Sequence, residues 1–241
     1  MIPGGLHHVM LGLERRYSVV ISSNVMNLNL ANYIGNPSGS PVTVDLHVMP
    51  GVVVGSVITG AQALTVGALP SNSVVNLLCE GYIVGCGGAG GSGGSSWAAN
   101  GAPGGHAIWG QPGIKLNINN QGVIGGGGGG GGGQGNRDVA CGGSGGAGHY
   151  AGGAGTGSGA AHANANGYNG NLTTGGPSNQ AIFSWEVGAG GAGGNIGSWG
   201  GVGNCTVDTS YFGSGGGPGC ALVVNGGLYT LLGNGLIGPI C

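Results

Sequence analysis

Nine consecutive glycines, residues 125–133, constrain this chain more than any other feature. Glycine's helix propensity is too poor for such a run to be an α-helix, and glycine has no side chain to pack in a strand interior. The backbone form that suits it is the extended helix of three residues per turn, which makes no internal hydrogen bonds and points every N–H and C=O outward. Side-chain-free helices of this kind can approach closely enough to bond one another in all directions, satisfying the main chain without a conventional core. The demand on those bonds is heavy. Each fixed glycine loses roughly 0.5–1 kcal/mol more than alanine, and the chain has 66 of them, so the deficit is on the order of tens of kcal/mol.

Further glycine tracts at 87–94, 142–148, 152–160, 188–194 and 213–219 repeat the theme. They are interrupted by the small residues Ala89, Ser92, Ser144, Ala147 and Ala154, which a tight bundle tolerates at its faces. Collagen is excluded because the glycines lack a strict three-residue period. Disorder is excluded because the chain is nearly uncharged and carries several Val/Ile/Leu runs.

Charge and cysteine usage narrow the function. Only Arg15, Arg16, Lys115 and Arg137 are basic, so no stripe exists to neutralise phosphates and no nucleic-acid partner is expected. No run reaches the length of a membrane span, so membrane insertion is not expected. Glu14, Arg15 and Arg16 follow the first apolar stretch, which is not a signal-peptide layout; synthesis in the cytoplasm without general secretion is the expectation. Cys79, Cys86, Cys141, Cys205, Cys220 and Cys241 lack zinc-ligand spacing, and they read as buried thiols, with disulfides formed outside the cell as the other reading. Matches to GxGxxG arise by chance in so glycine-rich a chain and introduce no convincing helix. A glycosidase needs two facing carboxylates, and Asp138, Glu186 and Asp208 are the only acids after Glu80. No catalytic residue, metal site or cofactor is expected, and His7-His8 reads as a surface pair.

Along the chain, Leu6, Val9, Met10 and Leu13 fall at i, i+3, i+4 and i+7, which predicts a short helix in a docking segment over residues 1–16. Such a helix, marginal alone, lies either on the protein's own body or on an attachment partner. Residues 17–85 alternate as β-strands, with Val42, Val44, Leu46 and Val48 against Thr43, Asp45 and His47. The fold class expected is mainly β and irregular, with little α-helix: a small N-terminal β domain, then a polyglycine-II helix bundle or sandwich over residues 86–241 with variable loops. A weak repeat runs through both parts. Val75-Asn76-Leu77 leads to Gly81-Tyr82-Ile83, Leu116-Asn117-Ile118 to Gly122-Val123-Ile124-Gly125, and Tyr229-Thr230-Leu231 to Gly235-Leu236-Ile237-Gly238.

Large polar and aromatic side chains collect between the tracts: Trp97, Asn100, His106, Arg137, Asp138, His149, Tyr150, His162, Tyr168, Asn169, Trp199, Asp208, Tyr211 and Phe212. Rigid frames displaying Trp, Tyr, His and Asn have the composition of a recognition surface. The other reading makes some of them lids on the bundle edge, Trp109 and Trp185 first among these because they neighbour Ile108 and Ile182.

Glycine-tract helices alternating with Asn/aromatic loops resemble the tip adhesins of T-even-type phage long tail fibres. Gly81-Tyr82-Ile83-Val84-Gly85 and Asn119-Asn120-Gln121-Gly122-Val123-Ile124-Gly125 are also similar to the glycine-rich receptor-binding ends of siphophage central tail fibres. The resemblance covers residues 74–241; the first 73 do not match the attachment domain of the T-even adhesins. It implies a receptor-binding protein in the virion at the tail tip, setting host range. The partners implied are a phage tail or fibre protein at the N-terminal region and a bacterial outer-surface receptor: outer-membrane protein, polysaccharide or pilus. Ice binding and a cell-wall or silk-like structural role are the alternatives from composition, although irregular Trp/Tyr/His loops argue against the flat array ice binding needs.

Overall fold

The computed structural model describes residues 9–11, 14–150, 152–206 and 210–241. Its base is a parallel β-helix of five coils. The first coil takes strands Glu14–Ile21, Val25–Met26 and Leu28–Asn29, and the second Val42–Val48, Val53–Gly55 and Leu64–Thr65. The third uses Val74–Cys79, Tyr82–Val84 and Ile108–Trp109, and the fourth Lys115–Asn120, Val123–Gly125 and Leu222–Val223. The fifth is the strand Leu228–Gly233, continued by Ile237 bridging Gly125 and Ile240 bridging Leu222. Equivalent strands stack in register into three sheets.

Alternation explains the stacking. Tyr17, Val19 and Ile21 of the first coil, Val44, Leu46 and Val48 of the second, Val75, Leu77 and Cys79 of the third, and Leu116 and Ile118 of the fourth face inward. All are 8% exposed or less and share one core with Leu28, Leu64, Ile83, Ile108, Ile124 and Leu222. On the outer face Asp45, Asn76, Asn117 and Thr230 stand in one row. Asn76 Nδ2 donates to Asp45 Oδ1 (2.8 Å), Asn117 Nδ2 to Asn76 Oδ1 (2.8 Å) and Thr230 Oγ1 to Asn117 Oδ1 (2.7 Å), while Arg16 Nε closes the row on Asp45 Oδ2 (2.6 Å). Burial raises the Asp45 pKa, but the Arg16 and Asn76 hydrogen bonds outweigh it and leave it below the usual value.

The weak repeat is therefore the coil period. Its three copies occupy the third, fourth and fifth coils, with Val75, Leu116 and Tyr229 in line. The first two coils belong to the same stack, so the sheet that begins in residues 17–85 takes in Lys115–Asn120 and Leu228–Gly233. No boundary at residue 85 divides it.

The glycine region leaves the β-helix at a corner between two sheets. The third coil departs after Val84 and returns at Ile108; the fourth departs after Gly125 and returns at Leu222. Within the long run, Gly127, Gly130 and Gly133 donate to Gly105, Ala102 and Ala99, Gly128 and Gly131 to Ala147 and Ser144, and Gly129 and Gly132 to Ser198 and Gly201, all at 2.7–3.0 Å. Its carbonyls are used with the same period of three. Gly128 and Gly131 accept from Gly88 and Gly91, Gly129 and Gly132 from Gly194 and Gly191, and Gly127, Gly130 and Gly133 from Gly219, Gly216 and Gly213. The run thus has six bonded neighbours, three through its N–H groups and three through its carbonyls. Spacing this close excludes side chains: a Cβ on Gly130 would collide with the carbonyl oxygen of Ala89.

Two sequence expectations are corrected. The predicted helix over residues 1–16 is absent where the chain is described. Val9–Leu11 is a strand, antiparallel to Glu14–Arg16, so Val9 and Met10 lie in a β-hairpin, and Leu6 and Leu13 fall outside the described residues. Period two wins because residues 15–21 pair with residues 42–48 at seven positions, which an isolated, marginal helix cannot match. Among the described residues the α-helix is a single turn, Leu30–Tyr33, capped by Asn29 Oδ1 accepting from the Asn32 N–H (3.1 Å). Cys220 and Cys241 form a disulfide, Cα–Cα 6.1 Å, that ties the chain's end to the fourth coil. Cys79, Cys86 and Cys141 are buried thiols, and burial pushes Cys79 up to about 12 and the other two upward.

Candidate functional site

Gly125 belongs to a β-helix strand, so Gly133 marks the far end of the glycine run. At that end the tracts are joined by short pairings. Gly93–Gly94 forms a hairpin with Trp97–Ala98. Gln134–Gly135 lies between Val139–Cys141 and Tyr211–Phe212, and Val139–Cys141 also pairs with Ala163–Ala165. A separate sheet joins Asn179–Phe183, Glu186–Gly190 and Asn204–Cys205. Val139, Cys141 and Ala181 form a small apolar cluster under these loops, which holds them without a large core.

Above the cluster the exposed side chains are aromatic. Trp97, Phe183, Tyr211 and Phe212 are all exposed, and Trp185 is 81% exposed. His162 stacks on Phe183 with ring centroids 3.9 Å apart and 9° between planes. Asp138 sits between Arg137 Nε at 3.3 Å and His162 Nε2 at 3.6 Å. Aromatic faces beside one small charged group suit a partner bound by burial and stacking, with a few directional polar contacts. No group of three metal-ligating side chains occurs among the described residues, and no described helix is long and apolar enough to cross a membrane.

Of the residues singled out from sequence, Trp97, Arg137, Asp138, His162, Tyr211 and Phe212 meet at this end. Others do not. His106, His149 and Tyr150 lie at the opposite end beside the β-helix. His106 Nδ1 accepts from the Cys220 N–H (2.8 Å) with its ring 5.9 Å from Trp109, and His149 packs over Gly55 and edge-on to Tyr150. Burial lowers the pKa of both histidines. Asn100 Oδ1 accepts from Ser214 N–H and Asn169 Oδ1 from Ala154 N–H, so these asparagines brace the tracts. Tyr168 and Trp199 are exposed along the flanks, and Asp208 lies outside the described residues.

Trp185 is not a lid. It tops the two-residue loop of the hairpin Asn179–Phe183/Glu186–Gly190, where Ser184 adopts φ 54°. Its neighbours Ile182 and Phe183 are exposed with it, and none of the three was assigned to recognition from sequence. The alternation around that loop was the available signal, masked because Ser-Trp lacks the Asn-Gly or Asp-Gly that announces a hairpin. Trp109, by contrast, is half-buried in a β-helix strand as the structural reading expected.

A main-chain frame carrying aromatic loops away from an all-β base defines a surface-recognition protein. The chain belongs to the phage tail fibre adhesin Gp38 family, whose model matches residues 16–240. It is similar to the solved gp37-gp38 adhesin tip complex of the bacteriophage S16 long tail fibre, at TM-score 0.61 and 26% identity over 94% of this chain and 83% of that one. No curated protein matches it. It is a receptor-binding adhesin of the tail fibre tip in a phage virion, and its family and fold point to recognition rather than catalysis. The family match takes in residues 16–73, which corrects the expectation for that stretch that the first 73 residues do not match these adhesins.

Proposed function

We propose that the far end of the glycine frame is the host-receptor contact, formed by Trp97, Arg137, Asp138, His162, Tyr211 and Phe212 together with Ile182, Phe183 and Trp185. The observation that carries this is the gathering of exposed aromatics at the frame end opposite the β-helix. The receptor is a bacterial outer-surface molecule: an outer-membrane protein, polysaccharide or pilus. The frame is a polyglycine-II bundle. The three-residue hydrogen-bond period and the six bonded neighbours of residues 127–133 support that reading. The β-helix, with the N-terminal hairpin that contains Val9 and Met10, mounts the adhesin on a fibre protein. The similar S16 structure, a complex with gp37, supports this.

Alanine at Trp97, Phe183 and Trp185 together should reduce adsorption of the purified chain to host cells by about tenfold or more, as loss of aromatic anchors does. Thermal unfolding should stay unchanged, and Tyr150→Ala at the opposite end should adsorb normally. Wild-type adsorption by the triple variant would sink the proposal.

A further inference from the structure

The two ends of the β-helix are finished differently. In the first coil Tyr17, Val19, Ile21, Leu28, Leu30 and Ile34 are all buried, and the antiparallel strand Val9–Leu11 pairs with the start of the edge strand, at Glu14–Arg16. In the fifth coil the core is open. Tyr229 stands in line with Leu116, which is 3% exposed, yet is itself 42% exposed. Ile237 and Ile240 are exposed as well, and on the outer face of the same strand, flanking Thr230, Leu228 and Leu232 are 72% and 68% exposed. Among the described residues no strand lies beyond Leu228–Gly233. That strand carries no charge, proline or bulge, the devices by which proteins protect a free edge. It is not a frayed end either: the Cys220–Cys241 disulfide and the bonds Ala221 N–H to Pro239 O (2.8 Å) and Cys241 N–H to Leu222 O (2.9 Å) hold the last coil in place.

A fixed, apolar, unprotected strand is a template for another strand, with main-chain hydrogen bonds giving affinity and alternate side chains giving specificity. We infer that Leu228–Gly233 and the open fifth coil dock an extended apolar segment of the fibre protein, which adds a sixth rung and closes the core. This rests on the reading that a fibre protein mounts the adhesin, and it adds the C-terminal coil to that contact. The fibre protein, rather than a second copy, is the occupant because the similar S16 structure is a complex of two different proteins.

The test uses the full-length chain and the tail fibre protein of the same phage. Hydrogen exchange at the outward amides of Tyr229 and Leu231 should slow by about tenfold or more in the complex. The double variant Leu228→Lys/Leu232→Lys should bind the fibre protein about tenfold more weakly, with unchanged thermal unfolding and host-cell adsorption. A complex that forms while these amides exchange at the free rate overturns the inference and leaves the mounting reading intact. No complex with the wild-type chain overturns the mounting reading itself. A dimer of the isolated chain in sedimentation, abolished by the lysine variants, gives the surface to a second copy and also overturns the inference. The exchange measurement uses only wild-type protein, so a variant that misfolds does not remove the test.

Discussion

Gly130 and Gly153 are the same amino acid under opposite constraints. A Cβ on Gly130 would meet the carbonyls of Ala89 and Gly88, whereas one on Gly153 would meet nothing within 4 Å. Since the atoms around Gly130 are main chain and cannot rotate away, Gly130→Ala should cost about 3 kcal/mol or more, the upper range for overpacking. Gly153→Ala should be neutral or stabilising by up to about 1 kcal/mol through the unfolded chain. Equal thermal unfolding of the two variants would refute close main-chain packing. His106 makes a second test. Its Nδ1 accepts the Cys220 N–H, so the folded protein needs that nitrogen unprotonated, and burial lowers the pKa below 6.5. The unfolded state then binds the proton more readily, so this contribution is complete above pH 6.5 and is lost as pH falls through the lower, folded value. The midpoint of thermal unfolding should drop on acidification below that point, and by less in His106→Gln. Trp185 shows the limit of reading single residues: its neighbour Ile182 suggested burial, but only the hairpin register decides which face a side chain takes.

The row Asp45–Asn76–Asn117–Thr230 links four coils by side chain alone. Asn117→Ala removes two of its bonds in a partly solvated site, so a loss of about 1–2 kcal/mol is expected. It should appear as a lower denaturant midpoint at unchanged slope, and an unchanged midpoint would make the row ornamental. That row also explains what was legible. Val75-Asn76-Leu77 and Leu116-Asn117-Ile118 betray a repeat because asparagine recurs between apolar neighbours. The first two coils escaped notice because Ser18 and Asp45 stand in the asparagine column. The N-terminal hairpin departs from its sequence pattern for a related reason. Leu6, Val9, Met10 and Leu13 fit a helical stripe, while the signal that decides the local structure lies further on, in the pairing of residues 15–21 with a strand nearly thirty residues away.

The molecule joins two ways of building a protein: an apolar β-helix whose order is written in its side chains, and a main-chain frame grown from two of its coils. The existence of the frame was readable from residues 125–133, because so few conformations serve nine glycines. Which tract lies beside which was not, since identical glycines carry no address. That information resides in the coils where the tracts begin and end, and in the loops that turn them. The period of three in the frame's hydrogen bonds makes its length a counted quantity. Taking one glycine from residues 125–133 turns everything after it by a third of a revolution and aims each following amide at the wrong neighbour. Taking three shortens the rod by about 9 Å and keeps every direction. The single deletion should therefore be the more damaging to thermal unfolding and adsorption, although it removes less. In such a frame, as in a gear train, inheritance of shape proceeds by whole teeth, and a lineage can lengthen or shorten its reach only in steps of one complete turn.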